Sequence, residues 1–245
     1  ACLARKRSSV RLRYSPQYKL LYTKLMKILF CLPGRTFSNN FLTSWSNLLQ
    51  YLPKYGITPI ISNSYNPLLY YVRNECLGGA SVRGKDQKPF DGKVDYDYIM
   101  WIDSDMVFTV DDFIRLLNMN KDIASGIYKT QNNLNYATVE KWDKDHYAKN
   151  GSFEFLDDKL IAGRKEPFKV EYTGFGWLLV KKGVFESLEY PWFQPIWEEF
   201  KVGETTFREF TMEDVAFCRT ITKKGYDIYV DPKLIIGHEK MLVLK

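Results

Sequence analysis

From Met26 onward the apolar positions switch between two periods, short continuous runs and stripes at helical spacing. Residues 28–32 form an apolar run that stops at Pro33-Gly34, which predicts a strand. Phe41, Trp45, Leu48, Leu49 and Leu52 then fall at i, i+4, i+7, i+8 and i+11, one stripe of a helix that Pro53 and Gly56 end. Residues 57–61 predict a second strand, and Leu68, Leu69, Val72 and Cys76 a second helical stripe that stops at Gly78-Gly79. The polar, glycine-containing stretch 81–93 predicts a mobile loop. Residues 98–102 are apolar at every position, as in the centre of a parallel sheet where neither face meets water. Thr109-Val110-Asp111-Asp112 spells a capping box opening a helix through Leu117, and residues 123–128 predict another strand. Repeated β-α units of this kind predict an α/β fold, a mostly parallel central sheet flanked by helices.

The second half is less regular. Residues 131–168 are polar and aromatic with weak periodicity. A strand is expected over 177–180, a short helix over 184–188, and an aromatic-rich loop or helix over 191–200. Thr211 and Asp214 fit a second capping box, opening a helix with Val215, Cys218 and Ile221 or Thr222 on one face and ending at Gly225. Residues 226–230 predict a last strand. No linker rich in Pro, Gly or Ser interrupts the pattern, so residues 26–245 are expected to form a single domain.

Composition narrows the classes. The 245 residues are 45% apolar and 26% charged, enough for one well-buried core and far from the bias of disordered, collagenous or coiled-coil chains. No apolar run approaches the ~18 residues of a membrane span. The four cysteines are scattered without a CxxC pair, against a disulfide framework or zinc knuckle. Only His146 and His238 are present, which excludes any site needing three histidines. The net charge of +6 is concentrated: residues 1–25 hold seven basic residues and no acidic one, and the rest carries 28 basic against 29 acidic. The body therefore lacks the basic excess of a nucleic-acid binder. Lys24 and Lys27 break the apolar stretch a signal peptide needs. The expectation is that Met26 is the natural start, that residues 1–25 are a leader or added arm, and that the protein is cytoplasmic. The chain ends seven residues after His238, as expected of a piece cut from a longer protein with further domains.

The sharpest chemical feature is Asp103-Ser104-Asp105 at the end of the 98–102 run. Asp95-Tyr96-Asp97 and Asp143-Lys144-Asp145 share the spacing, but only the first follows a buried strand at the sheet edge where α/β proteins bind ligands. Two carboxylates there suit a divalent cation that bridges to phosphates; turn-forming bonds to loop N–H groups are the plainer alternative. His238, preceded by Gly237, could complete the metal shell, and an imidazole beside carboxylates favours manganese over magnesium. Glu213-Asp214 offers a catalytic or acceptor-binding carboxylate, although acids are favoured at any helix start. Arg73-Asn74 could meet a phosphate, or form a surface ion pair. Gly174-Phe175-Gly176-Trp177 could let backbone approach a sugar, or make a tight turn. Trp192, Phe193 and Trp197 could stack on sugars, or pack in the core.

These segments, taken in order with Leu32-Pro33-Gly34-Arg35 before them and Gly225-Tyr226 and Gly237-His238 after, resemble GT-A fold glycosyltransferases over residues 26–245. More narrowly, the chain is similar to a glycosyltransferase domain of chlorella viruses that builds a capsid glycan. The resemblance implies a UDP-sugar donor, Mn2+ or Mg2+, and a glycan or glycoprotein acceptor. It implies Asp105 and His238 as direct metal ligands, with Asp103 helping through water or the ribose. Leu32, Pro33, Arg35 and Ser104 would meet the nucleotide, Arg73 and Asn74 the donor, and Glu213 or Asp214 the acceptor or anomeric carbon. The viral likeness further implies L-rhamnose as the transferred group and leans toward a retaining hexosyl transfer. An inverting route would use Asp214 as base.

Two other classes fit part of the pattern. Asp103-Ser104-Asp105-Met106-Val107 also resembles the nucleophile motif of haloacid-dehalogenase-type phosphohydrolases, but lies late in the chain and lacks the family's later Gly-Asp-x-x-x-Asp. A non-catalytic carbohydrate-binding module could use the same acids to bind calcium structurally.

Overall fold

The computed structural model describes residues 25–240. The basic leader lies outside them apart from Leu25. The first half follows its periodicity: β1 (Met26–Pro33), α1 (Asn39–Tyr51), β2 (Ile57–Ser64), α2 (Leu69–Cys76), β3 (Tyr98–Ile102), then a short strand the periodicity does not predict, β4 (Met106–Val107), and α3 (Val110–Asn118) and β5 (Ile123–Ile127). Ser38 starts α1 by accepting a 3.0 Å bond from Phe41 N–H. The expected capping box starts α3: Thr109 Oγ1 accepts from Asp112 N–H, and the Asp112 carboxylate accepts from Thr109 N–H. The second half holds β6 (Asn135–Val139), α4 (Lys144–Asn150), β7 (Phe155–Asp157), α5 (Asp158–Ile161), β8 (Phe168–Val170), β9 (Tyr172–Thr173), β10 (Trp177–Lys181), β11 (Trp197–Val202), β12 (Thr205–Phe210), α6 (Glu213–Lys223), β13 (Ile228–Ile235) and β14 (Gly237–His238).

The central sheet has the order β2-β1-β3-β10-β5-β13-β8. Five of these seven strands run the same way, while β10 and the edge strand β8 run against their neighbours. Side chains alternate across it with period two. Ile28, Phe30, Leu32, Met100 and Ile102 face a core closed by α1 and α3. Leu29, Cys31, Ile99 and Trp101 face a second core with α2, α6 and the aromatic side chains Phe175, Phe185 and Phe193. β10 matters most for function. Running antiparallel between β3 and β5, it brings its leading residues 174–176 to the edge where those strands end.

Several local expectations are corrected. Val72 and Cys76 are buried as expected, but Leu68 and Leu69 are exposed and α2 buries Arg73 and Asn74 in their place. The stretch 81–93 is no plain loop but holds short helical turns at Ser81–Arg83 and Pro89–Gly92, with the Gln87 amide donating to Ala80 O (2.9 Å) and Gly84 O (2.6 Å) and Arg83 paired with Asp91 at 2.7 Å. The aromatic stretch 191–200 is split: Trp192 and Phe193 enter the core, while Trp197 begins the β11–β12 hairpin. Thr211 and Asp214 form no capping box. Thr211 Oγ1 bonds across to the backbone of Ile196, and the Asp214 carboxylate turns to Tyr172.

Candidate active site

Strand polarity assembles the site. The C-terminal ends of β1, β3, β5 and β13 meet along one edge with the start of β10 and the N-terminus of α6. Among the described residues this edge gathers Arg73, Asp103, Asp105, Glu213, Asp214 and His238.

At its centre lies an ion triad, buried at Arg73 and Glu213 and half-buried at Asp103. Arg73 reaches Asp103 through two bonds, Nη1 to Oδ1 at 3.2 Å and Nη2 to Oδ2 at 3.3 Å. Its Nε donates to Glu213 Oε1 at 3.1 Å. Arg73 and Glu213 are each 2% exposed. Burial acts to lower the Arg73 pKa, but the charges of Asp103 and Glu213 outweigh it, and the net shift is upward. Burial also raises the Glu213 pKa, with the Asp214 charge adding to the rise and Arg73 opposing it. The guanidinium lies over the rings of Phe175 (4.9 Å) and Trp101 (5.6 Å), which fix its plane. Of the two neighbouring acids on α6, Glu213 thus faces Arg73, and Asp214 is the one left at the cleft. Asp214 Oδ2 accepts a 2.8 Å bond from the Tyr172 hydroxyl.

The second cluster joins distant parts of the chain. β14 pairs antiparallel with β4, setting His238 opposite Met106 and hence beside Asp105. His238 Nε2 lies 3.2 Å from Asp105 Oδ2, and Nδ1 lies 2.6 Å from Lys129 O. A carbonyl and a carboxylate can both only accept, so Nδ1–H donates to Lys129 O and Nε2–H to Asp105. A cation at this position would take the place of the Nε2 proton. Lys240 adds a second donor, its Nζ 2.6 Å from Asp105 Oδ2. Burial would raise the Asp105 pKa, but the bonds from His238 and Lys240 win and bring it down to about 2. With Nδ1–H fixed on a carbonyl, the imidazole is oriented as a metal-binding histidine is. Among the described residues no group of three or more His, Cys, Asp or Glu side chains surrounds a cation position. Asp103 is turned to Arg73 and does not join Asp105 and His238. Two protein ligands still suit a cation that keeps waters and takes the rest of its shell from substrate phosphates.

The nucleotide-facing expectations divide. A Cβ on Gly34 would come within 3.0 Å of Ser104 Cβ, so the ends of β1 and β3 form one surface. The Leu32 side chain is in the core, leaving its backbone at that surface. Arg35 is exposed, 5.7 Å from the Tyr65 ring. Asn74 is committed to structure: its amide donates to Tyr70 O (2.6 Å) and accepts from Trp192 N–H (3.0 Å), holding the loop before the hairpin.

Tyr128, Tyr172 and Lys240 were not singled out from sequence. For Tyr128 a signal existed. Its buried hydroxyl accepts from Gly176 N–H at 3.0 Å, its ring meets His238 edge-on at 5.1 Å, and a Cβ on Gly174 would overlap that hydroxyl. The paired glycines mark a close approach, although not by which residue. Gly174→Ala is therefore expected to cost about 1–3 kcal/mol by overpacking. Tyr128→Phe in the same chain should recover part of the loss in urea unfolding; equal stability of Gly174→Ala and wild type would show that the contact is loose.

No family model matches the chain, and no curated protein does. Solved structures do. A197 from STIV aligns with 90% of this chain and 97% of its own at 18% identity and a TM-score of 0.49. GalNAc-T7, solved with UDP, GalNAc and Mn2+, aligns with 89% of this chain at 10% identity and a TM-score of 0.54. The chain spans 44% of the GalNAc-T7 chain. The protein has an α/β fold of the GT-A glycosyltransferase type. Among the described residues no helix is long and apolar enough to cross a membrane.

Proposed function

We propose that the protein is a metal-dependent glycosyltransferase that moves a sugar from a UDP-sugar to a hydroxyl of a glycan or glycoprotein. The observation that carries this reading is the Asp105–His238 pair, closed by a two-residue ladder between segments more than 130 positions apart. The structural likeness to GalNAc-T7, whose own complex holds UDP and Mn2+, supports it.

Asp105 and His238 would hold a Mn2+ or Mg2+ ion, with the Lys129 carbonyl fixing the imidazole. When bound, that ion supplies positive charge opposite the departing diphosphate. Arg73 holds the Asp103 carboxylate through both oxygens and aimed at the same edge, where it serves the ribose or a water. Asp103 held through both oxygens is poorly placed to be the attacking carboxylate of a phosphohydrolase. Asp214, oriented by Tyr172, is the carboxylate available to an acceptor hydroxyl, as base in an inverting route or as a partner to the sugar in a retaining one.

A thermal-shift panel of nucleotides and nucleotide-sugars, with and without Mn2+, tests the reading. A ligand at 100 times its Kd should stabilise by about 2.7 kcal/mol. UDP compounds are expected to do so only with the metal. UDP-L-rhamnose, UDP-glucose and UDP-GalNAc as separate arms identify the donor, L-rhamnose being the one the viral resemblance implies. Stabilisation by no nucleotide, or equal stabilisation after chelation, would remove the metal-dependent transferase reading.

A further inference from the structure

The β11–β12 hairpin leaves an aromatic surface that the site described above does not use. Trp197 is 70% exposed, and Phe210, its cross-strand partner, is 47% exposed, with ring centroids 4.7 Å apart. Phe210 also forms the lip of a groove of about 230 Å³, walled by Trp142, Tyr147, Phe153 and Tyr172. Those walls pack on one another: Trp142 edge to face on Phe153 at 4.5 Å, and Tyr147 tilted beside Phe153 at 4.8 Å. On the hairpin's inner face Glu198 and Glu209 lie directly opposite each other and line the groove. Like charges in that relation destabilise a hairpin. Each is held from the body of the protein, Glu198 by Arg219 at 2.7 Å and Glu209 by the Tyr147 hydroxyl, through one oxygen apiece. Tyr172 belongs to both places: its ring walls the groove and its hydroxyl bonds Asp214.

We infer that this groove is the acceptor subsite and that it takes a neutral pyranose ring. The inference rests on the glycosyltransferase reading and adds the class of acceptor. Aromatic walls match the C–H faces of a sugar ring, and the remaining carboxylate oxygens accept from its hydroxyls. Glu198 is balanced by Arg219, whose guanidinium lies 4.0 Å from the Trp142 ring centroid, and the acid left over, Glu209, disfavours uronic, sialylated or sulfated acceptors. The cavity is below the ~300–1,000 Å³ of drug-sized pockets, so it admits about one ring rather than a folded peptide segment. A ring seated there ends at Tyr172, beside Asp214. Trp197, outside Phe210, extends the platform for the next sugar of a chain.

The test is titration of the intact chain, without donor, with maltotriose, cellotriose, mannotriose and chitotriose as neutral probes. Trigalacturonate and a Ser/Thr-containing peptide are the anionic and peptidic ones. Binding is read by intrinsic fluorescence and saturation-transfer NMR. At least one neutral probe should saturate, and its affinity should fall about tenfold in Phe210→Ala and in Trp197→Ala, about 1.4 kcal/mol. Trp197→Phe should keep most of the binding. Both positions are exposed, and near-UV circular dichroism confirms that the variants fold. Saturation by no neutral probe, equal affinity in the alanine variants, or preference for trigalacturonate or the peptide would each overturn the proposal. UDP and Mn2+ thermal shifts on the same samples separate the two readings. Sugar binding without a UDP response keeps the groove and loses the transferase; a UDP response without sugar binding does the reverse.

Discussion

Asp105→Ala is expected to abolish Mn2+-dependent stabilisation by UDP and to lower sugar transfer by about a hundred- to a thousandfold or more. The reason is positional. Asp105 and His238 are the two side chains that meet at the sheet edge, 3.2 Å apart, and would hold the ion, so deleting one leaves a single protein ligand. Folding should barely change. The Asp105 side chain is 36% exposed and its partner Lys240 40% exposed, and ion pairs of that kind contribute little to stability. Melting near the wild-type temperature together with loss of transfer is the expected combination. His238→Ala should lose metal dependence in the same way. An Asp105→Ala protein that transfers sugar at the wild-type rate would refute the role assigned to the pair.

Arg73→Leu should act on folding first. The substitution leaves Glu213 buried without its partner, and breaking a buried pair from one side typically costs about 3–5 kcal/mol. At about 2–4 °C per kcal/mol for a chain of this size, melting should fall by roughly 6–20 °C. Glu213→Gln should cost less, because the amide can still accept from Arg73 Nε. Arg73→Leu combined with Glu213→Leu should be less destabilised than the sum of the two single changes, and a double-mutant cycle in urea measures the difference. Additive losses, or a loss below about 1 kcal/mol for Arg73→Leu, would mean that the triad is not acting as one unit.

These two groups of residues were not equally legible. Asp103 and Asp105 stand at the end of a strand whose five residues are all apolar, and a strand buried on both faces announces itself by composition. Arg73 interrupts a helix with buried neighbours, so its importance was visible while its partners were not. Whether it met a phosphate or a carboxylate depended on where α6 begins, 140 residues later. Glu213 and Asp214 are adjacent in sequence, but a helix turns about 100° per residue, and that rotation sends one to Arg73 and the other to Tyr172. The hairpin at 197–210 escaped notice because its alternating residues are aromatic and charged on both faces, with no apolar stripe to set its period.

Local rules of spacing and capping were sufficient for β1, β2, β3 and β5, for α1 and α3, and for the carboxylates that follow β3. Those elements are specified by short-range periodicity, which one chain displays openly. The insertion of β10 against its neighbours, the ladder that carries His238 to Asp105, and the close approach of Tyr128 to Gly174 and Gly176 arise from pairings between remote segments. Hydrogen bonds in a sheet connect backbones without regard to side-chain identity, so nothing in the residues of β4 names β14 as its partner. It took the folded sheet, which sets strand direction and therefore which ends share an edge, to turn scattered acids and one late histidine into a single site.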